Sequence, residues 1–327
     1  MLKQVVEAIR AGRSPYLFTA IEGEHAGAIA LRDECCLYGD PKALRPIPDD
    51  VELPCLIDGV FCERIITPPH LILCGGGHVS VATAKIAKTV GFAVTVIDDR
   101  EEFANRERFP DADRILNMPF SEALDSIADA NAYYVIVTRG HRDDQACLMQ
   151  ILRKPYAYCG MIGSRSKTAH VFEYLRTQGV PDELLCTVHA PIGLPIGAQT
   201  PEEIAVCIVG EMISVKNGTH RGSEWDTALC DAILTAETPY AMVTLIDKKG
   251  SAPRAPGARM LVCADGRIVS SVGGGFGEFE ASERAKTMLK HGPKQKRYTC
   301  YMNNMDAAKN GMICGGTIDV FIQIIEG

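Results

Sequence analysis

Between Thr67 and about Gly218, short apolar runs alternate with stretches of helical period, and the first run closes on three consecutive glycines, Gly75-Gly76-Gly77. Strands that alternate with helices in this way close as a doubly wound parallel sheet with helices on both faces. The apolar runs lie at 70–74, 93–97, 114–116, 132–138, 156–162 and 185–188, so six strands are expected. Helical stretches cover 79–90, 121–128, 144–152, 166–178 and 201–215. The last of them opens on Thr200, Pro201 and Glu203, which are placed as the cap, the first helical residue and the return partner of a capping box. At 327 residues, 46% hydrophobic and 23% charged, the chain belongs with folded globular proteins and has room for about two domains.

Charge and cysteine usage exclude several partners. The net charge is −7 and no basic tract occurs, which argues against nucleic acid but leaves a small anion in a local pocket open. The first ten residues carry charges at helical spacing, unlike a signal peptide, and the charge-free stretch 67–84 is broken by prolines and glycines, unlike a membrane span. A cytoplasmic location is therefore expected. None of the 13 cysteines forms a Cys-x-x-Cys pair, so the common zinc and thioredoxin spacings are absent.

Several motifs can carry chemistry. Gly75 and Gly77 stand between the first strand and the first helix, where missing side chains let a diphosphate approach free amides and the positive helix end. Ser80 replaces the third glycine of the usual fingerprint, and Asp98 follows the second strand at the position of a ribose-binding carboxylate. A Rossmann-type sheet without a bound dinucleotide is the alternative. His141, in Thr138-Arg139-Gly140-His141, is placed either as an acid or base near neutral pH or as part of a helix start. Gly163-Ser164-Arg165-Ser166-Lys167 suits a phosphate or carboxylate, or else an ordinary helix cap. His189 begins a stiff, nearly uncharged loop with two prolines and two glycines, which lines the same site or is a structural loop.

Beyond a polar linker at 216–223 the pattern changes to a small α+β domain. A helix is expected at 227–236, strands at 240–246, 259–263, 268–272 and 317–325, and a second helix at 278–289. Three glycine clusters punctuate it: Gly250-Ser251-Ala252-Pro253-Arg254, Gly273-Gly274-Gly275 leading to Glu278, and Gly311 through Cys314-Gly315-Gly316. Glycines at strand ends permit close backbone approach, Arg254 offers a forked anion contact, and Cys314 is the thiol best placed to be reachable. Tight turns in a small sheet are the alternative. Residues 1–66 echo this domain: Ala8-Ile9 and Ser14-Pro15-Tyr16 recur as Ala232-Ile233 and Thr238-Pro239-Tyr240, at a constant offset of 224. Asp58-Gly59-Val60-Phe61 echoes Asp319-Val320-Phe321 without the extra glycine. The expected organisation is a shortened structural copy at 1–66, a Rossmann-type domain at 67–218 and the complete small domain at 225–327.

Taken together, these motifs resemble the XdhC/CoxI family, accessory factors that mature molybdenum hydroxylases such as xanthine dehydrogenase. The resemblance runs over nearly the whole chain. It rests on Gly75-x-Gly77-His78-Val79, Asp98-Asp99-Arg100, Arg108-Phe109-Pro110-Asp111-Ala112-Asp113, Ile162-Gly163-Ser164-Arg165, Pro191-Ile192-Gly193, Thr200-Pro201-Glu202-Glu203-Ile204-Ala205 and the three glycine clusters. It implies a cofactor chaperone that binds molybdenum cofactor (molybdopterin), assists its sulfuration by a cysteine desulfurase and hands it to an apo-hydroxylase. The candidate cofactor-binding residues are Gly75, Gly77, His78, Asp98, Ser164, Arg165, Arg254, Gly274 and Gly275, with Cys314, Glu278 and His141 as the candidate chemical groups. Two departures stand out. Family members usually carry cysteine directly after the triple glycine, where this chain has Phe276, and they usually place the small domain first. The competing expectation is an NAD(P)-dependent oxidoreductase using the Rossmann-type domain. Symmetric self-association is expected in either case.

Overall fold

The chain opens with helix α1 (Leu2–Arg10), whose Leu2, Val5, Val6 and Ile9 recur at helical spacing and are all buried. Strands β1 (Tyr16–Ala20), β2 (Ile29–Asp33) and β3 (Cys36–Gly39) follow, then a 3-10 turn at Pro41–Ala43 and strands β4 (Cys55–Ile57) and β5 (Val60–Ile66). In the computed structural model, which describes residues 1–33, 36–219, 222–250, 254–301 and 316–326, β5 is the last element before the chain enters a second compact unit. That unit is Pro68–His220, whereas Met1–Thr67 and Arg221–Gly327 together form the other.

The middle unit is the parallel α/β layer. It runs β6 (His70–Cys74), α2 (His78–Thr89), β7 (Ala93–Ile97), β8 (Arg114–Leu116), α3 (Phe120–Asp125), β9 (Ala132–Ile136), α4 (His141–Ile151), β10 (Tyr158–Met161), α5 (Arg165–Thr177), α6 (Asp182–Leu185) and α7 (Pro201–Thr219). The strands stand in the order β10-β9-β6-β7-β8, all parallel. This is the doubly wound order, with its reversal between β6 and β9. Helices α2 and α7 pack on one face, where Ala84, Ala87, Ile208 and Met212 meet Leu71, Val94, Tyr133 and Tyr158. On the other face Cys147, Leu148, Ile151, Val171 and Leu175 cover Ile72, Cys74, Tyr134 and Ile136. The capping box of α7 forms as the sequence dictates: the Thr200 hydroxyl accepts from Glu203 N–H at 3.2 Å, and the Glu203 carboxylate accepts from Thr200 N–H at 3.2 Å.

The sixth parallel strand does not form. Residues 182–185 make the short helix α6, led by Pro181 and acidic in its first turn, and only a single bridge joins His189 to Gly160 at the sheet edge. An apolar run of four residues does not by itself distinguish strand from helix, and the acidic start decides for the helix.

The other unit resumes with β11 (Ser223–Glu224), α8 (Thr227–Thr235), β12 (Tyr240–Lys249), β13 (Arg259–Cys263), β14 (Ile268–Ser270), α9 (Gly275–His291), β15 (Gln295–Tyr301) and β16 (Thr317–Ile325). One antiparallel sheet has the order β14-β13-β12-β16-β15; the other runs β3-β2-β1-β5, with β4 and β11 both on the outer edge of β5. The two sheets share a core in which Val5, Ile9 and Leu17 pack with Trp225, Leu229, Tyr240 and Leu261. Strand β15 was not among the sequence expectations. It is an edge strand whose only fully buried residue is Cys300, so it carries no apolar alternation to read. Register also corrects the echo between the two ends. Tyr16 faces Arg64 and Tyr240 faces Ile325, which sets Asp58 level with Asp319 and puts Gly59 in the place of Val320, with no glycine inserted.

Candidate functional site

Three helices of the parallel unit begin at the carboxyl ends of their strands, and the residues singled out there gather along one rim. His78 is the first residue of α2, His141 of α4 and Arg165 of α5, and all three are exposed. Such an edge, at the reversal of strand order, is where ligands of doubly wound sheets bind.

The glycine turn at this rim is shaped largely by the protein itself. Gly75 has φ +114°, and a Cβ there would sit 2.3 Å from the Val137 carbonyl; one on Gly76 would sit 2.2 Å from the Phe103 carbonyl. Only Gly77 faces open space, capping α2 without a side-chain partner. Phe103 is held there by two guanidinium groups, Arg100 at 3.7 Å and Arg108 at 5.2 Å from its ring centre, and Arg108 also donates to the Gly76 carbonyl at 3.1 Å.

Asp98 is 1% exposed and already engaged. It accepts from Gly76 N–H at 2.9 Å, from Arg100 N–H at 3.1 Å and from both arms of the Arg100 guanidinium at 2.9 Å. Burial by itself would raise its pKa, but the guanidinium and the two amides prevail and hold it below the usual carboxylate range. A ribose has no free oxygen to claim on this carboxylate. Asp98, expected from the sequence as a ribose acceptor, here locks the glycine turn to the loop after β7. The third-glycine position belongs to Ser80, fully buried, with its hydroxyl unpartnered.

Further along the rim, Ser164 serves as the cap of α5, accepting from Lys167 N–H at 3.2 Å. Lys167 reaches Asp144, which is fully buried, at 2.6 Å, and the Thr138 hydroxyl donates to the other oxygen of Asp144 at 2.7 Å. A Cβ on Gly163 would lie 2.9 Å from the Lys167 side chain, so that glycine makes room for the lysine. His141 stands edge-on to His170 at 6.1 Å. No local pattern signals the pairing of Lys167 with Asp144, since it joins two helices across the sheet edge. The same holds for a carboxylate on α7, Glu211, which gathers Tyr158, Gly193 and His189 around itself.

The remaining expected residues belong to the other unit. The connections that follow β12 and β14, the end of β15 and the start of β16 leave the sheet at one end, because these strands alternate in direction. Arg254 is exposed on the first connection. Gly273, Gly274 and Gly275 have φ of +137°, +71° and +67° and wrap around Glu278, whose carboxylate accepts from Val272 N–H at 2.9 Å, Gly274 N–H at 3.1 Å and the Ser271 hydroxyl at 2.5 Å. Burial alone would raise the pKa of Glu278; the Ser271 hydroxyl and the amides outweigh it and lower it. The triple glycine thus holds its own carboxylate, and a side chain on Gly274 or Gly275 would meet nothing. Phe276 and Phe279 project beside the turn, 37% and 59% exposed. Cys314 lies outside the described residues. Among the described thiols Cys36 and Cys186 are exposed, while burial pushes Cys62 and Cys300 up to about 12. No cluster of three or more metal-ligating side chains occurs among the described residues, and no described helix is long and apolar enough to cross a membrane.

Comparison with known proteins gives this geometry a context. The family model of the XdhC Rossmann domain matches residues 71–212, and that of the XdhC and CoxI family matches 233–299. An uncharacterized protein of Escherichia coli, YqeB, is 35% identical over 155 residues, which are 47% of this chain and 28% of that protein. A Bacillus subtilis protein described as a probable xanthine dehydrogenase subunit is 32% identical over 161 residues, 48% of this chain and 46% of the relative. The aligned part is thus less than half of either relative. A crystal structure described as a xanthine dehydrogenase from Bacillus halodurans superimposes with a TM-score of 0.56 at 27% identity, covering 67% of this chain and 65% of that one.

Proposed function

Starting from the premise that this chain belongs to the XdhC and CoxI family, we propose that it is an accessory factor of a molybdenum hydroxylase such as xanthine dehydrogenase. In this reading it binds molybdenum cofactor as cargo, assists its sulfuration by a cysteine desulfurase and delivers it to the apo-hydroxylase, as a carrier rather than a stand-alone enzyme. The observation that carries the reading is the presence of both family parts in one chain, supported by relatives whose names refer to xanthine dehydrogenase.

The residues at the rim suit a phosphate-bearing cargo, and the contacts of Asp98 argue against a nicotinamide dinucleotide. Gly77 leaves the start of α2 open, and His78, His141 and Arg165 are exposed along the same rim. A helix start with free amides favours phosphate, and Arg165 adds a cation to the same rim. Asp98, by contrast, is spent on Arg100 and Gly76, so the ribose contact of an NAD(P) enzyme has no donor-free oxygen. The other unit carries candidate contacts of its own, Arg254 and the turn at Gly274 and Gly275, and Cys314 is the thiol assigned to sulfur handling. Self-association into a symmetric oligomer is part of the proposal.

The test is to purify the full chain from a host that makes molybdenum cofactor and from one that does not. Bound pterin is then assayed by oxidation and fluorescence, and molybdenum by mass spectrometry. Near-stoichiometric pterin and metal from the producing host alone is the expected result. Absence of both, and of binding when cofactor is added back without oxygen, overturns the proposal. Replacement Cys314→Ser is expected to abolish hydroxylase activation while leaving pterin binding intact.

A further inference from the structure

The parallel unit contains a polar cluster that the proposed cargo contacts do not use. Glu211 of α7 lies against the sheet with its side chain 17% exposed. The Tyr158 hydroxyl donates to its Oε2 at 2.5 Å, and Gly193 N–H donates to the same oxygen at 3.1 Å. The other oxygen faces His189 Nδ1 at 3.4 Å, and the imidazole lies over the Tyr158 ring at 4.6 Å between centres.

Two glycines exist for this arrangement. A Cβ on Gly160 would fall 2.6 Å from the Tyr158 hydroxyl and 2.5 Å from Ile192, so only glycine leaves the phenol its path to Glu211. Gly193, at φ +100°, turns its amide toward the carboxylate and abuts Cys207 of α7. The imidazole itself is 36% exposed, and the backbone bridge to Gly160 puts it near the carboxyl end of β10. Thus a half-buried carboxylate, a buried phenol and two glycines converge on one partly exposed histidine.

We propose that His189 is a proton acceptor for a thiol presented to this unit, and that Glu211 is the residue that positions it. The proposal rests on the carrier reading only for the identity of the thiol's owner. An ionised carboxylate opposite Nδ1 fixes the proton on that nitrogen, leaving the Nε2 lone pair for solvent or a ligand. In the step itself the proton of the S–H group moves to Nε2, the electron pair of the S–H bond stays on sulfur, and the resulting imidazolium faces the Glu211 carboxylate. The product is a thiolate, the nucleophilic form. A thiol, with an ordinary pKa of about 8.5, is close enough to imidazole for efficient exchange. A phosphate is a poorer match, because the described partners of Glu211 are a phenol, an amide and the imidazole, with no lysine or arginine to offset a second negative charge.

The test has two arms on the full chain. Long-range nitrogen-15 spectra, with His189 assigned by its loss in His189→Gln, are expected to show the Nδ1–H tautomer in the wild-type protein; an Nε2–H tautomer overturns the proposal. In the second arm, pterin binding and hydroxylase activation are measured on the same preparations. His189→Gln is expected to reduce activation about 100-fold with unchanged melting temperature, and Glu211→Gln about 10-fold with a lowered melting temperature because its donors lose a charged acceptor, both with unchanged pterin content. Activation by His189→Gln at the wild-type rate overturns the proposal. Tyr158→Phe, which removes one donor to Glu211 and keeps the ring, separates a fold defect from a positioning defect. If no variant and no wild-type preparation binds pterin, the carrier reading fails, while the tautomer measurement still decides the geometry assigned to His189.

Discussion

Strands β1, β2, β3, β4 and β5 pair in the order that β12 to β16 repeat, and α1 and α8 precede the two sheets, with Ala8-Ile9 of the one recurring as Ala232-Ile233 of the other. The difference lies between the third and fourth strands. In the first sheet a 3-10 turn puts Ala43 over Phe18, Ala30 and Cys62. In the last sheet α9 lays Ala281, Ala285 and Met288 over Val243, Val262 and Val320. A single alanine and a loop suffice to cover a small apolar face, so α9 is more than a cover. It brings the glycine turn, Glu278, Phe276 and Phe279, and the first sheet has none of these. The comparison separates what the scaffold needs from what a site needs.

Uncoupling the two sheets is the severest perturbation of this unit. Arg259 of β13 forms a two-armed ion pair with Glu63 of β5, both nearly free of solvent, and stacks over the fully buried Trp225 at 4.9 Å. Arg259→Ala leaves a buried carboxylate without its partner and is expected to cost about 3–5 kcal/mol in urea denaturation. Replacing both members together, as Arg259→Met with Glu63→Leu, is expected to recover most of that loss.

A smaller effect sharpens the contrast at α9. Glu278→Gln removes a charge that three donors hold, at a cost of about 1.5–3 kcal/mol near neutral pH. The folded-state pKa of Glu278 is lowered, so the unfolded chain binds its proton more readily. The stabilisation is complete above the unfolded value near 4.5 and is lost as pH falls through the lower, folded-state value. The difference between wild type and variant is therefore expected to shrink toward zero in acid; a pH-independent difference would place the carboxylate's contribution elsewhere. Gly274→Ala, at φ +71° in open space, is expected to cost about 1–2 kcal/mol from backbone conformation alone. Smallest in stability is Phe276→Ala, within about 0.5 kcal/mol because the ring is exposed. Loss of activation without loss of melting temperature in that variant would mark the aromatic pair as contact surface.

Much of the fold was legible because its signals are local. The apolar runs at 70–74, 93–97, 114–116, 259–263 and 317–325 became strands at those bounds. The capping residues Thr200 and Glu203 meet as their spacing requires. The rim was legible too, since turns after parallel strands must collect at one edge. What the sequence could not show was the set of partners each of these residues has. Asp98 sits where a ribose-binding carboxylate belongs, but Arg100, two residues on, folds back and takes both its oxygens. Strand β15, polar along its length, offered no periodicity.

The sequence alone determined the alternation of strand and helix, the glycine turns, the doubled small fold and the family, because each is written within a few neighbouring residues or in their repetition. Only the tertiary structure decided that residues 1–67 and 221–327 make one unit, that Glu63 meets Arg259, and that Tyr158, His189 and Glu211 converge. Those partners lie tens to hundreds of residues apart in the chain. No local pattern encodes a pairing that exists only once buried polar groups have found, across folded elements, the donors and charges they must have when water is removed.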